Sequence, residues 1–275
     1  MRSNAAGSVA PIRVLPSALE EFPSLMERVG IRPLRLFLDF DGTLAGIVDD
    51  PESAALLPGL APVLARLASR GPVAVVSGRE RTDVQRRIPV EGLTFAGSHG
   101  LDIQGPGLSH RVGQEGVTAL DRVYSVLAGA ALEVSGVQLE RKSLGLAVHF
   151  RKAAPESHED LHRTILDIAA GEPALRVIRG KMVLELCPSV AWNKGDAVRW
   201  LESQPGFAGS GGLSIYIGDD LTDEDGFAAL GPEGVGIVVR GENDERLSAA
   251  RFALSGPGEV ARFLELMAAH VDPRV

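Results

Sequence analysis

The chain has 275 residues, of which 36 are acidic and 28 are basic, and its formal net charge is −8. Proteins that bind nucleic acid through a basic surface normally carry the opposite balance, so we expect no nucleic-acid partner. Hydrophobic residues make up 45% of the chain and charged residues 23%, which favours a folded protein over a disordered one. The length allows one large domain or two smaller ones.

Several features bear on the cellular compartment. Cys187 is the single cysteine in the sequence, which excludes an internal disulfide and a zinc site built on cysteines. No run approaches the roughly 18 apolar residues of a membrane helix, and the N-terminal segment lacks the apolar core of a signal peptide. We therefore expect a soluble cytoplasmic protein with no membrane partner. The sequence carries no signal of oligomeric state, and a monomer is favoured.

The chain begins with a proline-punctuated segment, for which we predict an N-terminal extension over 1–32 with a short helix at 19–29. Short apolar strands and amphipathic helices then alternate, a pattern typical of a parallel sheet with right-handed crossovers. The predicted elements of this part are strands at 34–40, 73–76 and 93–96 and helices at 58–70 and 79–88.

A second pattern follows Gly105, in which a helix precedes two strands and this order occurs twice, before the first pattern resumes. The predicted elements are helices at 117–132, 156–170, 193–202, 222–230 and 258–269 and strands at 137–142, 144–150, 175–178, 182–186, 213–217, 235–239 and 252–254. The fold class is α/β: a Rossmann-like, doubly wound parallel sheet over 33–106 and 188–275, interrupted by an α+β cap domain over 107–187.

The motif DFDGTL lies at the carboxyl end of the first predicted strand. Ligands bind at this edge of open parallel sheets. Asp39 and Asp41 are two residues apart, so in an extended chain both carboxylates point the same way, and Gly42 permits a sharp turn. A turn in which the aspartates bond the local backbone explains an isolated motif of this kind equally well.

A second acidic cluster, GDDLTDED at 218–225, directly follows the predicted strand at 213–217. The N-terminus of a helix would account for the acids at 223–225, because negative charge suits the helix dipole there. It accounts poorly for Asp219, which lies at the strand end beside Asp220. Carboxylates from two strand ends would repel one another unless a cation joined them, and oxygen ligands without histidine or cysteine favour Mg²⁺.

Two smaller features lie at helix starts. Ser77 and Gly78 stand where a predicted strand meets a helix, and a hydroxyl with backbone N–H groups suits a phosphate there. Taken alone, Ser77 is more commonly an N-cap. Lys194 opens a predicted helix, where the dipole disfavours a cation, so an anion or a carboxylate would hold it there. Without the other motifs, a lysine at this position would be interpreted as an ordinary surface residue.

Along the chain these four elements follow one another as DFDGT at 39–43, Ser77-Gly78, Lys194 and GDDLTD at 218–223. In this order they resemble the motifs of the haloacid dehalogenase-like phosphatase superfamily, and the insertion resembles its C2-type cap. The resemblance implies that Asp39 is the nucleophile of an aspartyl-phosphate mechanism and that Asp41 is its general acid and base. It also implies metal, metal-supporting and phosphate-binding roles. Asp39, the Asp41 carbonyl and Asp219 would bind Mg²⁺, and Asp220 and Asp223 would support these metal ligands. Ser77, Gly78 and Lys194 would bind the phosphate.

Four segments resemble trehalose-6-phosphate phosphatases in particular: AGSHG at 96–100, ERKSLGLAVHFR at 140–151, GKMVLELCPSVAWNKG at 180–195 and GDDLTDED. The resemblance implies that the substrate is the small molecule trehalose 6-phosphate. The sugar-binding residues that it implies are His99, Gly100, Glu140, Lys142, Lys181 and Glu185. On spacing alone, the four charged residues of the cap form two ordinary cross-strand ion pairs.

Two alternatives stay open at this point. The chain could hydrolyse another phosphorylated sugar, such as sucrose phosphate or a glycosyl-glycerate phosphate, with the same cap. In a different class, it could be a receiver-like binding module that is phosphorylated on Asp39 without turnover. A functional link to a synthase that makes trehalose 6-phosphate also stays open.

Overall fold

The computed structural model describes residues 9–48, 50–131, 134–180, 182–208, 211–241 and 244–271. The chain divides into two compact units. The first unit comprises 1–110 and 192–275, and the inserted unit comprises 111–191. Both boundaries of the inserted unit lie four residues later than the predicted cap, 107–187.

Helices account for much of both units. Within the described residues the α-helices are α1 Phe22–Val29, α2 Leu60–Ala68, α3 Arg81–Arg87, α4 Val117–Ala131, α5 His158–Ala170, α6 Lys194–Glu202, α7 Asp223–Ala229 and α8 Pro257–His270. The sequence pattern predicts each of these helices, with ends that differ by a few residues. No helix in the described ranges has both the length and the hydropathy that a membrane crossing requires.

Strands form three sheets. The described strands are β1 Ala10–Pro11, β2 Leu34–Leu38, β3 Val73–Val76, β4 Thr94–Gly97, β5 Asp102–Gly105, β6 Leu108–Arg111, β7 Gln138–Lys142, β8 Gly145–His149, β9 Leu175–Gly180, β10 Val183–Pro188, β11 Leu213–Gly218, β12 Val235–Val239, β13 Leu247–Ser248 and β14 Phe252–Leu254. The eight-stranded sheet of the first unit has the order β14-β12-β11-β2-β3-β4-β5-β6.

The strands from β14 to β4 pair in parallel, and β5 is antiparallel to β4. The central neighbours β2 and β11 are in register, with Leu38 opposite Ile217. Their carboxyl ends therefore lie side by side, which places the residues that follow each strand at one edge of the sheet. The predicted α/β class and the parallel core are confirmed.

Both faces of this sheet are covered. Leu36 and Leu38 of β2 point to one side, where they pack in a core that also contains residues of α1, α2 and α8. Phe37 points to the other side and packs with residues of α6 and α7. Because both faces are buried, the central strands consist of continuous apolar runs, which is the signal that reveals them in the sequence.

Two parts of the first unit differ from the expectation. The described part of 1–32 is packed into the unit: Ile12 and Leu25 are fully buried, and β1 pairs with β13. The sheet also continues through β5 and β6, for which the sequence predicts no strand. In β5 only Ile103 is buried, so this edge of the sheet lacks the apolar run that marks the central strands.

The inserted unit contains an antiparallel sheet of order β7-β8-β10-β9. One face packs against α4 and α5 through a cluster that includes Leu146 and Leu184. The register aligns Glu140, Ala147 and Glu185 across the three neighbouring strands, so these residues share the second face. We call this second face, with Glu140, Lys142, His149 and Glu185, the polar face.

The central position of β2 leads to a prediction about stability. Replacing the fully buried Leu38 by alanine should lower the free energy of unfolding by about 2–5 kcal/mol, because it leaves a cavity in the core directly before Asp39. Urea denaturation measures the change. The matched control is Ile31→Ala, at a fully exposed side chain, which should stay within about 0.5 kcal/mol of the parent protein. An equal effect of the two substitutions would contradict the placement of β2.

Candidate active site

A buried lysine links two carboxylates at the carboxyl edge of the sheet. Lys194 is 3% exposed, and its Nζ donates hydrogen bonds to Asp39 Oδ1 at 2.8 Å and to Asp223 Oδ1 at 2.7 Å. It is the first residue of α6, after an N-cap in which Asn193 and Asp196 bond each other's backbone. These carboxylates hold the ammonium at a helix start, where the dipole disfavours it. Asp39 directly follows β2, and Asp223 is the first residue of α7.

Asp223 has no free hydrogen-bonding capacity. Its Oδ1 accepts hydrogen bonds from Lys194 and from the Tyr216 hydroxyl, at 2.7 Å each. Its Oδ2 accepts the backbone N–H groups of Asp219 at 3.0 Å and Asp220 at 2.9 Å. Four donors use the four lone pairs of the carboxylate, so this fully buried side chain supports the site and holds the loop after β11.

The close approach of Gly42 brings Asp219 next to the DFDG turn. Gly42 has a φ of +76°, in the left-handed region. A Cβ at this position would stand 2.1 Å from Asp219 Oδ2. Only glycine therefore fits both the backbone conformation and the space that the Asp219 carboxylate occupies.

Burial and crowding raise the carboxyl pKa values in this cluster. Burial raises the pKa of Asp39 well above its usual value, and the nearby Lys194 charge offsets this only in part. Burial, followed by repulsion from Asp223, raises the pKa of Asp219 to about 7. Burial would lower the pKa of Lys194, but its attraction to Asp223 and Asp39 outweighs burial, so that pKa is raised and the ammonium stays charged.

The acidic cluster fits a divalent cation. Asp39, Asp219 and Asp223 each offer an oxygen, and these oxygens lie within 4.8 Å of one another. Because the lone pairs of Asp223 are already used, Asp39 and Asp219 are the ligands that this group can supply. One ammonium faces three carboxylates, and the excess of negative charge on hard oxygen atoms suits Mg²⁺ or a similar cation.

Asp41 does not join this cluster of carboxylates. Its side chain is 43% exposed and forms a two-point ion pair with Arg79. Arg79 Nε donates to Asp41 Oδ2 at 2.7 Å, and Nη2 donates to Asp41 Oδ1 at 2.8 Å. The carboxylate is thus held by a neighbour from the segment between β3 and α3, where Ser77 Oγ accepts the backbone N–H of Arg79 at 3.1 Å.

The loop after β4 has an unusual backbone. Ser98, His99 and Gly100 all have positive φ, at 50°, 58° and 90°. His99 lies against Gly78, where a Cβ would stand 2.8 Å from its Cε1. Backbone strain in side-chain-bearing residues is typical of functional loops. The structure therefore brings together three of the residues that the resemblance implies, Gly78, His99 and Gly100.

The polar face of the inserted unit carries an ion pair between Lys142 and Glu185 and a hydrogen bond between His149 and Glu140. Lys142 Nζ lies 3.0 Å from Glu185 Oε1, and His149 Nε2 lies 2.9 Å from Glu140 Oε2. The hydrogen bond from His149 lowers the pKa of Glu140. Glu140 thus has a partner on the neighbouring strand β8. Lys181 lies outside the described residues.

Asp220 takes a position different from that of its neighbours. Its side chain is exposed, and its Oδ1 accepts the N–H of Leu221 at 2.7 Å. It reaches the buried cluster through its backbone N–H, which Asp223 accepts.

Sequence reasoning does not find four residues that hold this site. They are Tyr216 on Asp223, Arg79 on Asp41, Arg246 on the Asp219 carbonyl at 2.8 Å, and Trp192 on the Gly100 carbonyl at 2.8 Å. Tyr216 lies inside an apolar strand and is indistinguishable from a core residue. Arg79 follows the Ser77-Gly78 motif directly, and this adjacency is the one signal that could have pointed to a role.

Comparisons with known proteins agree with this geometry. A model of the trehalose-phosphatase family matches residues 37–257. An uncharacterized glycosyl hydrolase of Mycobacterium tuberculosis is 43% identical, over 97% of this chain and 20% of that protein. A trehalose-phosphate phosphatase of the same organism is 41% identical, over 92% of this chain and 66% of that protein. The chain thus spans from a fifth to two thirds of the length of these relatives.

A solved structure of the C-terminal domain of a C. albicans trehalose-6-phosphate phosphatase shares the fold. It superposes with a TM-score of 0.74 at 24% identity, covering 94% of this chain and all of that one. A doubly wound sheet with acidic residues after its two central strands defines the haloacid dehalogenase-like class. Because the family match covers most of the chain, the protein belongs to the trehalose-phosphatase family.

The raised pKa of Asp219 leads to a prediction for the protein in buffer free of divalent cations. Its pKa rises from 3.8 to about 7 on folding, so between these values the folded protein binds a proton that the unfolded chain releases. The contribution is fully present below pH 4 and is lost as the pH rises through 7. The free energy of unfolding, measured by urea denaturation, should therefore fall across this range.

Asp219→Asn should flatten this part of the pH dependence, because an amide does not titrate. The exposed neighbour serves as a control, since Asp220→Asn should retain the decline. A decline of equal size in Asp219→Asn and the parent protein would contradict the assignment.

Proposed function

We propose that this chain is a Mg²⁺-dependent phosphatase that hydrolyses trehalose 6-phosphate to trehalose and inorganic phosphate through an aspartyl-phosphate on Asp39. The observation that carries the proposal is the buried cluster of Asp39, Lys194, Asp219 and Asp223 in a member of the trehalose-phosphatase family. A synthase that makes trehalose 6-phosphate would be the functional partner that supplies the substrate.

Asp39 is the nucleophile in this proposal. Lys194 binds Oδ1 and leaves the second oxygen to attack phosphorus. The Asp39 oxygen–phosphorus bond forms while the bond from phosphorus to the sugar oxygen breaks, and Asp41 gives that oxygen its proton. Ser77, the backbone at Gly78 and Lys194 bind the phosphoryl oxygens.

The second half of the reaction releases phosphate. Asp41, now ionised, takes a proton from water, and the water oxygen attacks the phosphorus of the aspartyl-phosphate. The Asp39 oxygen leaves, which restores the free carboxylate. Throughout both steps Asp223 keeps Lys194 in place, because its own contacts are all to donors within the first unit.

Mg²⁺ fits the site on the charge of its oxygen donors. Asp39, Asp219 and the Asp41 carbonyl would hold it. Asp223 and Asp220 would support Asp219 without binding the metal themselves. When bound, it would shield the negative phosphoryl group from these carboxylates and stabilise the charge that develops during transfer.

The polar face is the proposed sugar-binding surface of the inserted unit. Glu140, Lys142 and Glu185 share this face, and beside them lie the small residues Gly145 and Ala147 of β8. Charged donors and acceptors around small side chains suit a ligand with many hydroxyl groups. We also propose Lys181 for sugar recognition in the inserted unit, and His99 and Gly100 in the first unit.

The proposed reaction is tested directly. The purified protein should release inorganic phosphate from trehalose 6-phosphate in the presence of Mg²⁺, and EDTA should abolish the release. Asp39→Asn should lower kcat by at least about a thousandfold, because the nucleophile is lost. The control Glu265→Gln makes the same chemical change at an exposed position on α8 and should keep full activity. Undiminished turnover by folded Asp39→Asn would contradict the proposal.

The identity of the sugar is tested with the same assay. A panel that includes sucrose phosphate and a glycosyl-glycerate phosphate should give lower kcat/KM values than trehalose 6-phosphate. A value about a hundredfold higher for another sugar would reassign the substrate. A stable phospho-Asp39 without turnover would favour the receiver-like alternative.

The polar face generates a separate prediction. Glu185→Gln replaces one of the two acceptor oxygens by an amide NH2 and removes the charge that pairs with Lys142, so kcat/KM for trehalose 6-phosphate should fall at least about tenfold. The rate with p-nitrophenyl phosphate, which carries no sugar, should be unchanged. The control Glu172→Gln alters an ion pair with Arg122 in the same unit and should affect neither substrate. Equal losses on both substrates would contradict sugar binding by this face.

A further inference from the structure

We propose that Arg79 is a positioning residue that fixes the orientation of the Asp41 carboxylate toward the leaving oxygen. The inference rests on the proposed function, because it assigns Asp41 to proton transfer. Arg79 bonds Asp41, Asp83 and the Pro51 carbonyl, and none of these hydrogen bonds goes to Asp39, Asp219 or Asp223. Its effect is exerted through the side chain that it holds.

The geometry is that of a two-point fork. Nε and Nη2 of Arg79 each bind a different oxygen of Asp41, at 2.7 and 2.8 Å. Two parallel hydrogen bonds between a planar guanidinium and a planar carboxylate fix the rotation of the carboxylate as well as its position. Each Asp41 oxygen keeps a second lone pair, which is the one that can face a reacting group.

Arg79 is fixed in turn by contacts on its other sides. Nη1 donates to Asp83 Oδ2 at 3.1 Å, and Nη2 donates to the Pro51 carbonyl at 2.9 Å. The guanidinium carbon lies 5.6 Å from the centre of the Phe40 ring. With an exposed fraction of 13%, the guanidinium is largely buried and connects Asp41 to α3.

The network continues one step further from the reacting groups. Asp83 Oδ2 also accepts a hydrogen bond from Arg87 Nε at 2.9 Å, and Arg87 is 9% exposed. Arg87 donates in addition to the Glu52 carbonyl at 2.9 Å and the Ala54 carbonyl at 2.5 Å. The orientation of Arg79 is therefore set by the packed start of α3 and by the segment around 51–54.

Such a support is needed because Asp41 is the exposed member of the DFDG pair. Asp39 is buried and is held by Lys194, whereas nearly half of the Asp41 side chain faces solvent. A general acid works only within hydrogen-bond reach of the oxygen that it protonates. A lysine could supply the charge of Arg79 but not the two parallel bonds, so it would leave the carboxylate free to rotate.

The dependence of the rate on the leaving group distinguishes positioning from other roles. The oxygen of a sugar leaving group needs a proton in order to leave, whereas p-nitrophenolate leaves without one. Loss of a purely structural contact lowers the rates of all substrates alike, and loss of a sugar contact lowers the rates of sugar phosphates alone. Loss of the correct orientation of the Asp41 carboxylate lowers the rates progressively as the leaving group becomes less acidic, from nitrophenyl to phenyl to alkyl phosphates.

The experiment compares Arg79→Lys with the parent protein in Mg²⁺ on trehalose 6-phosphate and a series of aryl phosphates, measured as kcat/KM. This quantity reports the steps up to departure of the leaving group, so it excludes the later hydrolysis. We expect a loss of about a hundredfold on the sugar phosphate and of at most about threefold on p-nitrophenyl phosphate, with phenyl phosphate between them. The plot of log kcat/KM against leaving-group pKa should become steeper.

The matched control is Arg86→Lys. Arg86 lies on α3, which begins two residues after Arg79, and it also bonds Asp83, at 2.6 Å, but its side chain is 72% exposed and has no hydrogen bond to Asp41. It should leave the slope unchanged. Thermal unfolding shows whether Arg79→Lys is folded. If it is not, Asp83→Asn, which loosens Arg79 without replacing it, should give the same steepening with smaller losses.

Equal losses across the series, or a loss confined to the sugar phosphate, would overturn the positioning role. The proposed function fails in a different way, since it requires that Asp39→Asn abolish turnover of every substrate. If Asp39→Asn is inactive and Arg79→Lys keeps the parent slope, only the inference about Arg79 is wrong.

Discussion

The site depends on one interaction, the burial of the Lys194 ammonium between Asp39 and Asp223. Burying a charge is costly unless it is paired and hydrogen-bonded, and here the two carboxylates meet that requirement. The pairing joins the start of α6 to the end of β2 and the start of α7, and it leaves the cluster with more negative than positive charge. This imbalance supports the cation that we propose at Asp39 and Asp219.

Close approach of the backbone is the second constraint. Gly42 leaves room for the Asp219 carboxylate, and a Cβ at Gly218 would stand 2.3 Å from Asp223 Cγ. Both glycines therefore lie where a carboxylate packs directly against the backbone. In the sequence these two glycines look like turn residues. In the fold they are positions where a neighbouring aspartate side chain occupies the space that a Cβ would fill.

Much of the fold could be predicted because the central strands are buried on both faces and consist of apolar runs. Edge strands such as β5 lack that signal, and the buried Ile12 and Leu25 show that their segment, within the described residues, packs into the first unit. For the candidate site, the order of Asp39, Ser77, Lys194 and Asp219 along the chain was sufficient to predict a set of candidate site residues. It could not predict what each one touches, since hydrogen-bond partners depend on distances between elements far apart in sequence.

The sequence by itself determined the class of the fold and the residue types available for chemistry, because hydrophobic periodicity and acidic motifs are local properties. Only the tertiary structure decided how the acids divide their roles. Asp223 is saturated by four donors, Asp219 lies against Gly42, and Asp41 is held by Arg79 at the edge of the site. The three are the same residue type, and they differ because pairing of the strands and the placement of α3 and α6 give each carboxylate different neighbours and a different share of solvent.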